Sequence, residues 1–205
     1  MGKNFESKSF EQTGGLFEWQ FIGNVETDSS EYQKELKKLQ EEAEKKGATN
    51  GFIPREKAVE LARKFQPYDP TNPGKKFHFA RDIRISLLDL MIGKGLITES
   101  EEDQDRVKFY TAVGTPLDKF HGVDAFLEFE DKNGKKYSVP FDLTLNSQKQ
   151  AYKSDIVVSE LPDPNLEEEK MKYLATIEQY AQKALGAIEI KKSHEENKKQ
   201  DHPRD

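Results

Sequence analysis

The sequence predicts an α/β (α+β) fold, a small central mixed β-sheet of about four strands with a hairpin at 123–146, flanked by helices. Three observations carry this reading. Apolar residues recur at helical spacing in three stretches before Gly95 and again after Pro164. β-Favouring residues gather between Arg106 and Ser159. Within that region the turn Lys132-Asn133-Gly134 separates two alternating runs.

After an opening that contains Phe17, Trp19 and Phe21, the segment 30–46 reads as a helix with Tyr32, Leu36, Leu39 and Ala43 on one narrow stripe and Gly47 ending it. Its other faces are Lys and Glu, which suits a peripheral or partner-binding helix. A second helix is expected over 54–65, with Pro54 at its first turn and Ala58, Leu61, Ala62 and Phe65 facing inward. QPYDPTNPG breaks it. The segment 79–92 is the most apolar helix, with Ile83, Leu87, Leu88, Leu90 and Met91 as core contacts and Gly93 and Gly95 closing it. A strand follows at about 106–113, then the hairpin, the polar stretch NSQKQAYKS and a short strand at 156–159. Asp163 and Pro164 open a helix predicted over 164–188, along which Met171, Leu174, Ile177, Ala181, Ala184, Leu185 and Ile188 keep helical spacing.

Composition narrows the class. Hydrophobic and charged residues each make up 34% of 205 residues, so part of the chain is expected to stay outside a packed core. Residues 1–52 read as an N-terminal extension with a charged helix and 53–190 as a single α/β domain. Residues 191–205, with nothing apolar to bury, read as a disordered tail. The absence of cysteine excludes disulfides, thiolate zinc sites and a cysteine nucleophile. No run is long and apolar enough to span a bilayer, and Glu6 stands where a myristoylation signal wants Ser or Thr. A cytoplasmic protein without membrane contact is expected. The net charge of −6 argues against coating nucleic acid by bulk electrostatics. Arg55, Lys57, Arg63, Lys64, Lys75 and Lys76 would line a local basic groove or form a solvated face.

The hairpin register follows from its turn. With Lys132-Asn133-Gly134 as a three-residue loop and Gly134 left-handed, Asp131 pairs with Lys135. Phe129 then faces Tyr137, Leu127 faces Val139, Ala125 faces Phe141 and Val123 faces Leu143, all apolar pairs. The same count sets Asp124 opposite Asp142 on the other, polar face, with Glu128 opposite Ser138 and Phe126 opposite Pro140. A two-residue turn would shift the pairing by one and split the apolar set between faces. Facing aspartates repel unless a proton or a cation lies between them. A hard divalent metal, Mg²⁺ or Mn²⁺, held by Asp124 and Asp142 suits that arrangement and would activate water against a phosphodiester. Alternatively the two side chains diverge or pair with Lys119, Lys149 or Lys153.

The stretch TPLDKFHGVDAFLEF followed by VPFDLTLN resembles the core of the PD-(D/E)XK (restriction-endonuclease-like) nuclease superfamily, over roughly residues 79–160. In that family a helix bearing an acid precedes three strands, a further helix and a fourth strand. An Asp on the second strand and an acid-x-Lys on the third bind metal and activate water. The resemblance implies that Asp124 and Asp142 are the metal-binding acids and that Asp118 is the acid found shortly before them. The helix acid would be Asp82, Asp89, Glu99, Glu101 or Glu102. Thr144 departs from the pattern, standing where the lysine belongs, and the resemblance then implies a lysine from the next segment, Lys149 or Lys153. His121 lies beside the hairpin's start and offers a contact to phosphate. The expected function is a metal-dependent nuclease-like protein that hydrolyses or binds DNA. The alternative is a non-catalytic protein-interaction module on a degenerate nuclease-like fold, docking a partner through its N-terminal or C-terminal helix.

Overall fold

The computed structural model describes residues 14–144, 154–159 and 161–201. Its α-helices are α1 (Gly14–Ile22), α2 (Ser30–Glu44), α3 (Arg55–Lys64), α4 (His78–Gly93), α5 (Glu101–Gln104), α6 (Pro116–His121) and α7 (Glu167–Asp201). The strands are β1 (Val107–Thr111), β2 (Ala125–Glu130), β3 (Lys136–Leu143) and β4 (Ile156–Val158). They form one mixed sheet in the order β1-β2-β3-β4, antiparallel except for the parallel pair β3 and β4. This is the α+β sheet with flanking helices that the sequence predicts.

From Ala125 to Glu130 the hairpin has the derived register, with Ala125 opposite Phe141, Leu127 opposite Val139 and Phe129 opposite Tyr137. The expected pairs Val123–Leu143 and Asp124–Asp142 fall before the paired residues, and Val123 packs in a second core apart from Leu143. Its turn explains why. The Asp131 and Lys135 backbones bond at 2.8 Å, and the Asp131 carboxylate accepts the Asn133 and Lys135 N–H groups. Gly134 takes φ 77°, a left-handed value that a Cβ would disfavour. The apolar face packs beneath α4 and α7. Phe79, Ile83, Leu87 and Met91 meet Phe109, Phe141, Tyr173, Ile177 and Ala181 in the main core, all of them buried.

The other face is not the polar surface the alternation suggests. Helices α3 and α6 cover it, and Tyr110, Phe126 and Val123 form a second core with Ile53, Ala58, Ala62 and Leu117. Tyr110 and Phe126 stack at 4.9 Å. Glu128, 2% exposed on this face, is paired with Arg63 and with Lys136 at 3.4 Å. Tyr110, Phe126 and Val123 hold a helix layer on this face, which makes the architecture a helix–sheet–helix sandwich.

The N-terminal segment is tied to the sheet from α1 onward. Ile22 is fully buried in the main core, the Thr111 hydroxyl donates to the Gly23 carbonyl at 2.7 Å, and the Val25 N–H donates to the Val113 carbonyl at 3.3 Å. At the other end α7 continues past the expected stop at 188 to Asp201, so the first part of the predicted disordered tail is helical. Ion pairs supply what apolar burial cannot: Lys191 bonds Asp155 and the Ser138 carbonyl, and Glu195 bonds Lys135 beside the hairpin turn. Among the described residues no helix is long and apolar enough to cross a membrane.

Candidate metal centre

Three carboxylates from three elements converge at the start of β2. Glu18 on α1, Asp118 on α6 and Asp124 each offer an oxygen, and these oxygens lie within 4.8 Å of one another. Each is placed by local structure. The end of α1 is anchored where the Tyr68 hydroxyl donates to the Ile22 carbonyl at 3.1 Å, with Ile22 one turn beyond Glu18 on the inward face. The short helix α6 begins at Thr115, whose hydroxyl caps the Leu117 N–H, and ends at Gly122 with φ 60°. Asp118, in its first turn, accepts the Gly114 N–H at 3.0 Å.

Asp124 is held on both sides by backbone: its N–H donates to the Phe141 carbonyl at 2.9 Å and its carbonyl accepts from Ala112 at 2.7 Å. Its side chain turns along the strand end, where Oδ2 accepts the Leu143 N–H at 2.6 Å. Burial pushes the Asp124 carboxyl up to about 8, the Glu18, Asp118 and Asp142 charges add to the rise, and the Leu143 bond opposes it. The β2–β3 pairing starts at Ala125 opposite Phe141, one residue after Asp124. Asp142 is 2% exposed and lies on β3, where it pairs with Val157 of β4. It is within electrostatic reach of Asp124 but outside the triad.

The remaining sequence-predicted acids lie elsewhere. Asp82 accepts from the Tyr173 hydroxyl at 2.9 Å and from Arg81 at 2.6 Å, between α4 and α7. Asp89 lines a groove between those helices, and Glu101 and Glu102 lie on α5, just after Glu99. Lys149 and Lys153 lie outside the described residues. Lys119 stands over the Phe120 ring at 5.2 Å, and His121 Nε2 is bonded to the Ile53 carbonyl at 2.9 Å, which makes it a link between α6 and the start of α3. Much of the basic stretch is engaged with carboxylates: Arg63 with Glu128, Lys64 with Glu35 at 2.9 Å and Lys57 with Glu60 at 2.8 Å. Above the second core a cavity of about 670 Å³ sets Arg55, Arg63 and Lys191 against Glu56, Glu60 and Asp155, leaving it without a net charge.

Glu18 is the residue that sequence reasoning missed. Its signal lay in GLFEWQFI, where Glu18 and Ile22 are four apart and share one helical face. No protein-family model, no curated protein and no solved structure matches the chain.

Proposed function

We propose that the chain is a divalent-metal-dependent, nuclease-like protein that acts on DNA phosphodiesters at the Glu18, Asp118 and Asp124 centre, with Asp142 beside it. The observation that carries this reading is the convergence of three carboxylates, one of them buried and pushed up to about 8 by that burial and its acidic neighbours. Such a set suits Mg²⁺ or Mn²⁺, which prefer oxygen donors, and binding would offset the burial and the carboxylate repulsion that together raise Asp124. When bound, the ion supplies charge neutralisation at a phosphoryl oxygen and lowers the pKa of water.

The chain's own groups do the positioning. The Leu143 N–H fixes Asp124, the capped α6 fixes Asp118, and the anchored end of α1 fixes Glu18. Element order supports the same reading. A helix carrying an acid precedes three strands and a fourth strand follows them, as the resemblance implies; the further helix it implies before the fourth strand would fall outside the described residues. The assisting lysine is assigned to Lys149 or Lys153.

A second reading, a non-catalytic interaction module, has one observation in its favour. Met171 and Leu174 on α7 and Ile85 on α4 are large apolar side chains left exposed on neighbouring helices. The two readings separate in one experiment. Plasmid DNA incubated with the full chain and Mg²⁺ or Mn²⁺ is expected to be nicked or cut, and the cutting is expected to stop with EDTA and in Asp124→Ala and Glu18→Gln. Circular dichroism checks that both variants stay folded. Cleavage that persists undiminished in folded Asp124→Ala defeats the nuclease reading.

A further inference from the structure

Helices α4 and α7 pack side by side over the apolar face of the sheet, and helices in that position ordinarily turn a polar side to water. Between these two the outer side is largely apolar. A groove of about 440 Å³ lies there, with Ile85, Leu90, Leu174 and Ile177 as its apolar lining and Asp82, Asp89 and Glu178 as its acids. Of the seven large apolar side chains that stand exposed among the described residues, Ile85 at 47% and Leu174 at 48% both line this groove. Met171, 75% exposed, lies three residues before Leu174 on the same side of α7. Single exposed apolar side chains are ordinary, whereas a contiguous set across two helices marks an interaction surface.

The shape of this surface suits a helix. From Asp82 to Leu90 the axis of α4 rises by about 12 Å at ~1.5 Å per residue, and apolar anchors at i, i+4 and i+7 of a docking helix span about 10.5 Å. The charges select the partner. Among the described residues neither Asp89 nor Glu178 is paired with a cation, and Glu178 accepts from the Gln182 amide at 3.3 Å. The cations nearby are engaged or turned away. Arg81 bonds Asp82 at 2.6 Å, Lys94 bonds Glu189 at 2.6 Å and Lys170 lies 3.8 Å from Glu167. Lys172 stands about 200° around α7 from Leu174, and Lys183 lies over the Tyr180 ring at 5.2 Å. Beyond Ile85 a second hollow sets Asp69, Glu101 and Asp105 against Arg81 and against Arg84, whose guanidinium donates to the Val107 and Gln104 carbonyls. A second copy of this face across a two-fold axis would bring like charges together, and an anionic bilayer would meet the same repulsion.

We infer that the groove between α4 and α7 docks an amphipathic helix of a partner protein, its apolar stripe seated on Ile85, Leu90 and Leu174 and its flanking Lys or Arg side chains reaching Asp89 and Glu178. None of these residues belongs to the carboxylate centre, so the inference stands apart from the nuclease-like reading. It names the partner that the interaction reading leaves open.

The probe is a fluorophore-labelled, hydrocarbon-stapled helical peptide of about 18 residues with Leu at i, i+4, i+7 and i+11 and Lys on both flanks. Its binding to the full chain is followed by fluorescence anisotropy. Saturable binding is expected, with a peptide carrying Glu on its flanks and a scrambled peptide of equal composition each at least about 10-fold weaker. I85E and L174E, at half-exposed positions, are each expected to weaken binding by about 10-fold or more. The double variant Asp89→Lys with Glu178→Lys is expected to exchange the preference, taking the Glu-flanked peptide over the Lys-flanked one. Unchanged circular dichroism melts check that the variants fold, and the double variant, altered only at exposed positions, serves if I85E or L174E does not. Absence of saturable binding of the Lys-flanked peptide, or folded variants that bind it as the wild type does, overturns the inference. Concentration-dependent dimerisation in sedimentation velocity that L174E abolishes would also overturn it, assigning the face to a second copy. Metal-dependent cleavage of plasmid DNA is expected to be unchanged in L174E, so failure of the docking site and failure of the nuclease-like reading are told apart.

Discussion

The Asp124→Asn substitution tests the electrostatics of the centre most directly. In the folded chain the Asp124 carboxyl is pushed from its ordinary 3.8 up to about 8 by burial and by the neighbouring carboxylates. A carboxyl raised in this way favours folding most fully at low pH, because the native state binds a proton that the unfolded state has released. That contribution is lost as the pH climbs through the raised value. Between about pH 5.5 and about pH 8.5 the loss integrates to about 3 kcal/mol for this one group, at ~1.4 kcal/mol per pKa unit. Asparagine is neutral throughout and keeps a carbonyl oxygen for the Leu143 N–H, so it abolishes the loss without removing the bond. In EDTA, urea denaturation should find the variant progressively more stable than wild type as the pH rises, the gap widening by about 3 kcal/mol over that range. Saturating Mn²⁺ should narrow the gap by stabilising only the wild type. A gap that stays constant with pH would refute the account of an Asp124 carboxyl pushed up by burial and its acidic neighbours.

Other perturbations probe the scaffold that holds the centre. Arg63→Ala strips Glu128, 2% exposed, of one of its two cationic partners and is expected to cost about 3–5 kcal/mol in chemical denaturation; a loss below ~1 kcal/mol would mean that Lys136 alone suffices. Phe79→Ala removes a fully buried ring that contacts Phe109, Phe141 and Tyr180 and should cost about 3–5 kcal/mol by the same assay, or leave too little stability to fold. Lys191→Ala breaks the bonds to Asp155 and Ser138, and hydrogen exchange in α7 beyond residue 190 should accelerate while the main core stays protected.

Register and burial divide what was legible from what was not. Gly134 and the alternation around it fix which residues face one another, because a slip of one would turn every apolar side chain of β2 or β3 to the wrong face. The sequence also placed α2, α3, α4 and all four strands within a few residues, since their periodic stripes are local properties. It misjudged the second face of the sheet, where Tyr110 and Phe126 count as a minority along the strands until α3 brings Ala58 and Ala62 over them. It also ended α7 too early, because the bonds to Asp155 and Lys135 join residues far apart in the chain.

The candidate centre divides in the same way. Alternation and turn chemistry led to the expectation of Asp124 across from Asp142, whereas Asp118 was marked only by the family resemblance, and the paired residues begin one position later, at Ala125. Tertiary structure decided which carboxylates share a site, for two physical reasons. The Leu143 N–H draws the Asp124 side chain along the strand end, and the packing of Ile22 into the core carries Glu18, from the far N-terminal part of the chain, to Asp118 and Asp124.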